Sequence, residues 1–283
     1  MRFADEAVEA LLSLEWVFAD RGGKVSGSYY LEFWRRVEVL DLALRYCSRG
    51  SVIADIGAAP FITSCALKRL GYDVVAADIE PEKYMDIAEV CGIKVVKVGL
   101  ERDPIPRLGA GCAIFTEVIE HLNPYYAPEI VRKINKAMAL NSKLVLTTPN
   151  IASLFRRLRL LLGVQPQYRV HVHEYTKKEV EELLAANGFE IIKSYYSTIN
   201  DLTYVDVREP RRHLAPPSYL NLAKHALANP TKTNAARLLA YPLVKLVPSL
   251  RQLIVIVAEK VGEPETTPIE RVVAYRVTNV GAS

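Results

Sequence analysis

From Ser51 onward the chain alternates short β-branched runs with stretches of helical spacing, and this alternation restricts the possible folds more than any other feature. "SVIADIG" (51–57), "YDVVAADI" (72–79), "IKVVKVGL" (93–100), "GCAIFTE" (111–117), "SKLVLTTPN" (142–150), "FEIIKSYYS" (189–197) and "RQLIVIVAEK" (251–260) read as seven strands. "FITSCALKRLG" (61–71), "PEKYMDIAEVCG" (81–92), "APEIVRKINKAMAL" (127–140) and "TKKEVEELLAANG" (176–188) read as helices between them. Strands separated by helices imply a mostly parallel, doubly wound α/β sheet with helices on both faces. The first three runs are too apolar to show one face to water, which agrees with that arrangement.

Residues 4–20 and 29–47 also have helical spacing, and in the second Leu31, Trp34, Val37, Val39, Leu40 and Leu44 share much of one face. "DRGGKVSGS" (20–28) reads as the loop joining them. Residues 200–250 carry prolines at 210, 216, 217, 230, 242 and 248 and read as an inserted helical or loop subdomain. Past Gly262, "GEPETTP" reads as a linker and "ERVVAYRVTNV" as an added edge strand. The expected plan is a helical lid (1–50), a core (51–260) with its insert (200–250), and a tail (261–283).

A chain of 283 residues supports one large core with a modest appendage. The acids in "MRFADEAVEALLSLEW" argue against a signal peptide, and no charge-free apolar run approaches the roughly 20 residues of a membrane helix, so the cytosol is the expected location. Cys47, Cys65, Cys91 and Cys112 form no C-x-x-C pair, which disfavours a zinc site. They read as buried thiols, with disulfides the alternative in a hyperthermophilic source. Between Ile151 and Arg251 there are 15 Lys/Arg against 8 Asp/Glu, although the whole chain has a net charge of only +4. That carboxyl-half excess suits either a solvated face or an anionic partner: phosphate, RNA or a membrane surface.

After the first strand comes "DIGAAPF" (55–61), a tight turn in which Gly57 and Ala59 are small enough for backbone to approach a ligand before a helix begins. Asp78 lies 23 residues beyond Asp55, at the end of the second strand, where an acid accepts from ribose hydroxyls. Together with "VGLERDPIP", "FTEVIEHL", "LVLTTPN" and "HVHEYTKKEVEELLAANGFEI", these stretches occur in an order that resembles the class I S-adenosylmethionine-dependent methyltransferases over residues 51–199, in particular the methyltransferase type 11/23 and quinone-biosynthesis O-methyltransferase groups. The resemblance implies a Rossmann-like seven-stranded sheet whose last strand is antiparallel and inserted beside the fifth. It also implies that Asp55, Gly57, Ala58 and Ala59 face the methionine part of the cofactor. Asp78 and Ile79 would lie at the ribose, Leu100 and Glu101 at the adenine, and Glu117 beneath the sulfonium. Phe61 stands where the family pattern has a third glycine. Its ring either points into the core or narrows the cofactor pocket, and a narrowed pocket would suit a methyltransferase-like binding protein without catalysis.

If a helical turn follows the fourth strand, Glu117, Glu120 and His121 stand at i, i+3 and i+4 on one face, with His171 or His173 approaching from the segment after strand five. Such a set suits a divalent cation, and it resembles the Mg²⁺ site of small-RNA 2′-O-methyltransferases. The alternative is an acid that faces the sulfonium with no metal present. An oxygen acceptor needs its proton removed, which makes His121 and His171 the candidate bases. "YYLEFWRR" (29–36) reads as a lid over the cofactor. "IASLFRRLRLLLG" (151–163) and "ARLLAYPLVKLVPSLR" (236–251) are apolar and basic, which fits a peripheral membrane contact or leucines packed on the core with arginines snorkelling outward. The expected acceptor is a small or lipid-linked molecule, with an RNA ribose as the alternative.

Overall fold

The computed structural model describes residues 3–204 and 209–264. Seven strands form one sheet: β1 (Val52–Ile56), β2 (Asp73–Asp78), β3 (Lys94–Lys97), β4 (Ala110–Thr116), β5 (Met138–Pro149), β6 (Phe189–Ser197) and β7 (Leu253–Lys260). Their order is β3-β2-β1-β4-β5-β7-β6. All pairings are parallel except those of β7, which runs antiparallel to both β5 and β6, as the family resemblance implied.

The helices are α1 (Asp5–Leu12), α2 (Glu15–Phe18), α3 (Gly23–Leu31), α4 (Phe33–Tyr46), α5 (Ile62–Arg69), α6 (Met85–Cys91), α7 (Ala127–Ala137), α8 (Leu154–Leu161), α9 (Lys177–Ala185), α10 (Ile199–Leu202), α11 (Tyr219–Ala228) and α12 (Lys232–Leu246). Leucines and aromatics of α1 and α4 join α5 and α6 in one core layer against the sheet, while α7 and α9 cover the opposite face. The second layer is pinned by a capping box on α9, in which the Thr176 side chain accepts from the Glu179 amide and Glu179 reaches back to the Thr176 amide.

Several local readings change. The 4–20 helix breaks near Ser13, whose hydroxyl donates to Ala10 O at 2.8 Å. The expected loop at 20–28 is largely the helix α3, despite its glycines. Tyr29 on α3 is buried, stacks on Phe18 at 5.5 Å and donates to Leu11 O at 2.8 Å, so tertiary packing outweighs low helix propensity. The expected helix at 127–140 stops at Ala137, and β5 starts at Met138, paired with Ala110. The cysteines are not thiols: the fold brings the end of α4 against β4 and α5 against the end of α6, forming Cys47–Cys112 and Cys65–Cys91 disulfides. The leucines of α8 do not pack on the core, for no residue of that helix is buried. The expected edge strand at 270–280 lies outside the described residues. Among those described, no helix is long and apolar enough to cross a membrane.

One core contact yields a pH prediction. Glu38 on α4 is 2 % exposed and accepts from the Tyr195 hydroxyl at 3.0 Å. Burial pushes its carboxyl up to about 7. A carboxyl raised in the folded state binds more protons there than when unfolded, so its contribution is whole below the unfolded pKa and is lost as pH rises toward 7. Glu38→Gln should therefore leave stability unchanged near pH 4 and raise it near pH 8, with a ceiling of about 3 kcal/mol. Thermal melts of both proteins across this range test it, and a pH-independent difference would refute the assignment.

Candidate active site

At the carboxyl edge of the sheet lies a cavity of about 460 Å³, lined by the β1 turn, the end of β4, the start of α4 and the segment before α9. This is where open α/β sheets bind ligands. The chain turns out of β1 at Gly57, whose φ of +72° suits glycine. A Cβ there would meet Val118 Cγ2 at 2.4 Å, so the β1 turn and the segment after β4 touch across this glycine. The turn spends its amides within the protein: Gly57 donates to Ala77 O at 2.8 Å and Ala59 to Asp78 Oδ2 at 2.9 Å. Asp55 is buried beneath it, accepts from the Ser64 hydroxyl at 2.5 Å, and has its carboxyl pushed up to about 6 by burial.

Phe61, read as cofactor-binding, is not part of this cavity. It adopts the left-handed backbone conformation (φ 68°) at the cap of α5, and its ring is fully buried in the core, edge-on to Tyr84 at 6.5 Å. That direction follows from burial: an apolar ring gains more against α5 and α6 than in a polar cavity. The ring therefore does not narrow the pocket.

Glu117 takes a φ of 57°, unusual for a side-chain-bearing residue. The kink turns its carboxylate into the cavity, where Thr147 Oγ1 donates to Oε1 at 2.9 Å and Arg35 Nη1 to Oε2 at 2.9 Å. Arg35 also pairs with Glu32 at 3.0 Å, and Arg36 with Glu32 at 2.5 Å. Burial works against the Glu32 carboxylate, yet the two guanidiniums hold it at about 2. The start of α4 thus roofs the cavity with two arginines and one acid. The E-x-x-R-R spacing of Glu32, Arg35 and Arg36 was the available signal for these pairs.

Glu120 and the histidines meet beside Glu117. Glu120 is 1 % exposed and accepts from Thr148 Oγ1 at 3.0 Å. Burial, then the neighbouring Glu117 charge, raises its carboxyl well above the ordinary range. The Val172 and His173 amides donate to Glu120 O at 2.8 and 3.1 Å, bringing the segment after α8 to this spot. His171 lies 4.8 Å from His121, ring centre to ring centre. Each imidazole is held through Nδ1, His171 by Glu174 Oε1 at 2.7 Å and His121 by Val170 O at 3.2 Å. Carboxylates and carbonyls only accept, so both Nδ1 atoms carry hydrogen and each neutral ring keeps its lone pair on Nε2. Burial raises the Glu174 carboxyl, but two Arg156 contacts at 2.6 and 2.8 Å, the Tyr168 amide and His171 bring it below its usual value. Glu120, His121 and His171 each offer a ligand atom within 4.8 Å of the others, and Glu117 is not in that group.

Of the residues singled out in the sequence, Asp55, Gly57, Ala58, Ala59, Glu117, Glu120, His121 and His171 line the cavity. Asp78, Ile79, Leu100 and Glu101 do not. Asp78 ends β2 with its carboxylate on the Ala59 and Glu80 amides, and Ile79 is exposed alongside Gly99. Leu100 is buried, and Glu101 accepts from the Asn123 amide at 2.8 Å. His173 packs against Tyr175 at 4.5 Å, away from the cavity lining. Glu174 and the Thr147–Thr148 pair were not singled out in the sequence; Arg35 and Arg36 were read only within the lid stretch 29–36, and Arg156 as one of the outward arginines of 151–163, whereas all three line the cavity.

A family model described as a methyltransferase domain matches residues 29–194, well over half of the chain and inclusive of α4. The chain is similar in structure to an S-adenosylmethionine-dependent methyltransferase from Archaeoglobus fulgidus, at TM-score 0.55 and 19% identity over 88% of this chain and 99% of that one. It is also similar to magnesium protoporphyrin IX methyltransferase from Synechocystis PCC 6803, at TM-score 0.52 and 13% identity over 88% and 94%. A third is the 1,6-didemethyltoxoflavin-N1-methyltransferase of Burkholderia thailandensis, at TM-score 0.50 and 15% identity over 93% and 92%. At such identities the likeness is one of fold. No curated protein sequence matches the chain.

Proposed function

The chain belongs to the methyltransferase-domain family, which implies S-adenosylmethionine as methyl donor, and from that premise we propose that it methylates an oxygen of a small or lipid-linked acceptor. The donor, when bound, supplies an electrophilic methyl group on a positively charged sulfur. The residues lining the cavity fit the methionine end of such a molecule. Glu117, fixed by Thr147 and Arg35, offers an anion to its cationic centre, while Arg35 and Arg36 offer cations to its carboxylate. Gly57 keeps the β1 turn close against Val118.

The observation that carries the oxygen assignment is the Glu174–His171 contact at 2.7 Å. Glu174 fixes the tautomer, so His171 Nε2 accepts the acceptor hydroxyl's proton while the oxygen attacks, and Glu174 stabilises the imidazolium formed. His121, held by Val170 O, has the same tautomer and is the second candidate base. Positioning supplies much of the remaining rate, and α4 supplies the roof.

Calorimetric titration with S-adenosylmethionine and S-adenosylhomocysteine should give saturable binding. Labelled methyl transfer to a panel of phenols, carboxylates and amines should favour phenolic oxygen. No binding at millimolar cofactor would sink the enzyme reading, and transfer to amines alone would sink the oxygen assignment.

A second reading has its own observation, the convergence of Glu120, His121 and His171. Histidines held at Nδ1 by an oxygen are the usual outer-shell arrangement of metal ligands. Two imidazoles and a carboxylate suit Mn²⁺ or Zn²⁺ better than Mg²⁺, which prefers oxygen. Turnover lost in EDTA and restored by Mn²⁺ would favour this reading.

A further inference from the structure

Two helices that root beside the cavity leave most of their leucines in solvent. On α8, Leu158, Leu161 and Leu162 stand at i, i+3 and i+4, with Leu161 82 % exposed. On α12, Leu239, Leu243 and Leu246 stand at i, i+4 and i+7, with Leu239 81 % and Leu246 80 % exposed. The helices come from distant parts of the chain but root at one point. Asn150, three residues before the Ser153 cap of α8, donates through Nδ2 to Ser249 O at 3.0 Å and Arg251 O at 2.7 Å, just past the end of α12. Ser153, Arg156 and Gln252, from the same junction, line the cavity.

The charge around these leucines has one sign. Residues 151–173 contain arginines 156, 157, 159 and 169 and no Asp or Glu. Residues 210–251 contain seven Lys/Arg and no Asp or Glu. Arg157, Arg159, Arg169, Lys232 and Lys245 are exposed, and Arg157 and Arg159 lie within the leucine run of α8. An isolated apolar stripe fits many partners, but leucines set among cations and free of acids complement a surface that is oily within and anionic at its face.

We propose that this edge of the protein docks on an anionic lipid bilayer, the leucines of α8 and α12 entering the headgroup region and their lysines and arginines contacting lipid phosphates, so that the cavity opens toward the membrane. This docking does not depend on the methyl-transfer reading, and its test is separate.

The full-length protein is sedimented with phosphatidylcholine vesicles and with vesicles that also contain phosphatidylglycerol. It should bind the anionic vesicles alone and release as salt rises. L161E/L162E and L239E/L246E should each weaken binding by at least about tenfold, with melting temperature and S-adenosylmethionine affinity unchanged. Failure to bind anionic vesicles, or binding indifferent to both variants, would overturn the proposal. So would a dimer in light scattering that both variants dissolve, which would assign the leucines to a second copy. Retention on single-stranded RNA that survives both variants, without vesicle binding, would assign the cations to RNA.

Discussion

Gly57→Ala should cost about two orders of magnitude in cofactor affinity while the protein stays folded. The new methyl would sit 2.4 Å from Val118 Cγ2, on a residue held at φ +72°. Left-handed backbone costs an alanine roughly 1–2 kcal/mol, and overpacking adds about 1–3 kcal/mol. Each 1.4 kcal/mol is about tenfold in affinity, so the combined strain is about a hundredfold if binding requires the undistorted turn. The turn lies at the cavity rim, where it can relax by moving away from Val118 and taking Ala58 and Ala59 with it. Calorimetry and a melt on the same sample separate lost binding from lost fold. Val118→Ala in the same chain removes both offending γ-carbons and should recover most of the steric part, leaving the backbone strain. Wild-type affinity in the single variant would show that the turn is not the donor site.

His171→Ala should lower turnover by about 10²–10⁴-fold with donor affinity unchanged, the usual cost of removing a general base. Glu174→Gln tests the mechanism more finely. It keeps an oxygen near Nδ1 but removes the charge that stabilises the imidazolium, so turnover should fall by about tenfold and the acidic limb of the rate profile, where the base becomes protonated, should shift. The readout is kcat across pH on the best acceptor of the panel, with KM for the donor as control. A His171→Ala enzyme with near-wild-type kcat would remove His171 from the chemistry and leave His121 as the base. A donor KM that rises in step with the fall in kcat would instead give the imidazole a packing role.

The sheet was legible because burial on both faces writes it plainly: "SVIADIG" and "LVLTTPN" have no polar face to confuse a strand with anything else. Helix α9 was legible from its capping box and apolar spacing. Helix α3 was not, because its two glycines and the Gly22 before it look like a loop until Tyr29 is seen packed against Phe18 and Phe33. At the site, residues at or just past strand ends were readable, since Asp55, Glu117 and His121 follow recognisable apolar runs. Arg35 and Arg36 were harder, because an arginine on an amphipathic helix reads as a solvated face unless the fold carries that face over a cavity. Phe61 was ambiguous for a related reason: sequence shows a ring where glycine is usual but not which way a left-handed backbone aims it.

The antiparallel β7 has a further meaning. Ser197 ends β6 opposite Leu253, which begins β7, so residues 198–252 are topologically the loop of a β-hairpin. A loop of this kind can be lengthened, shortened or exchanged without re-threading the sheet, because its two ends are already neighbours. The turn of Gly57 and the carboxylates of Glu117 and Glu120 lie outside it. Evolution, or an engineer, can therefore redraw the rim of the cavity one hairpin at a time while the donor-facing machinery keeps its register.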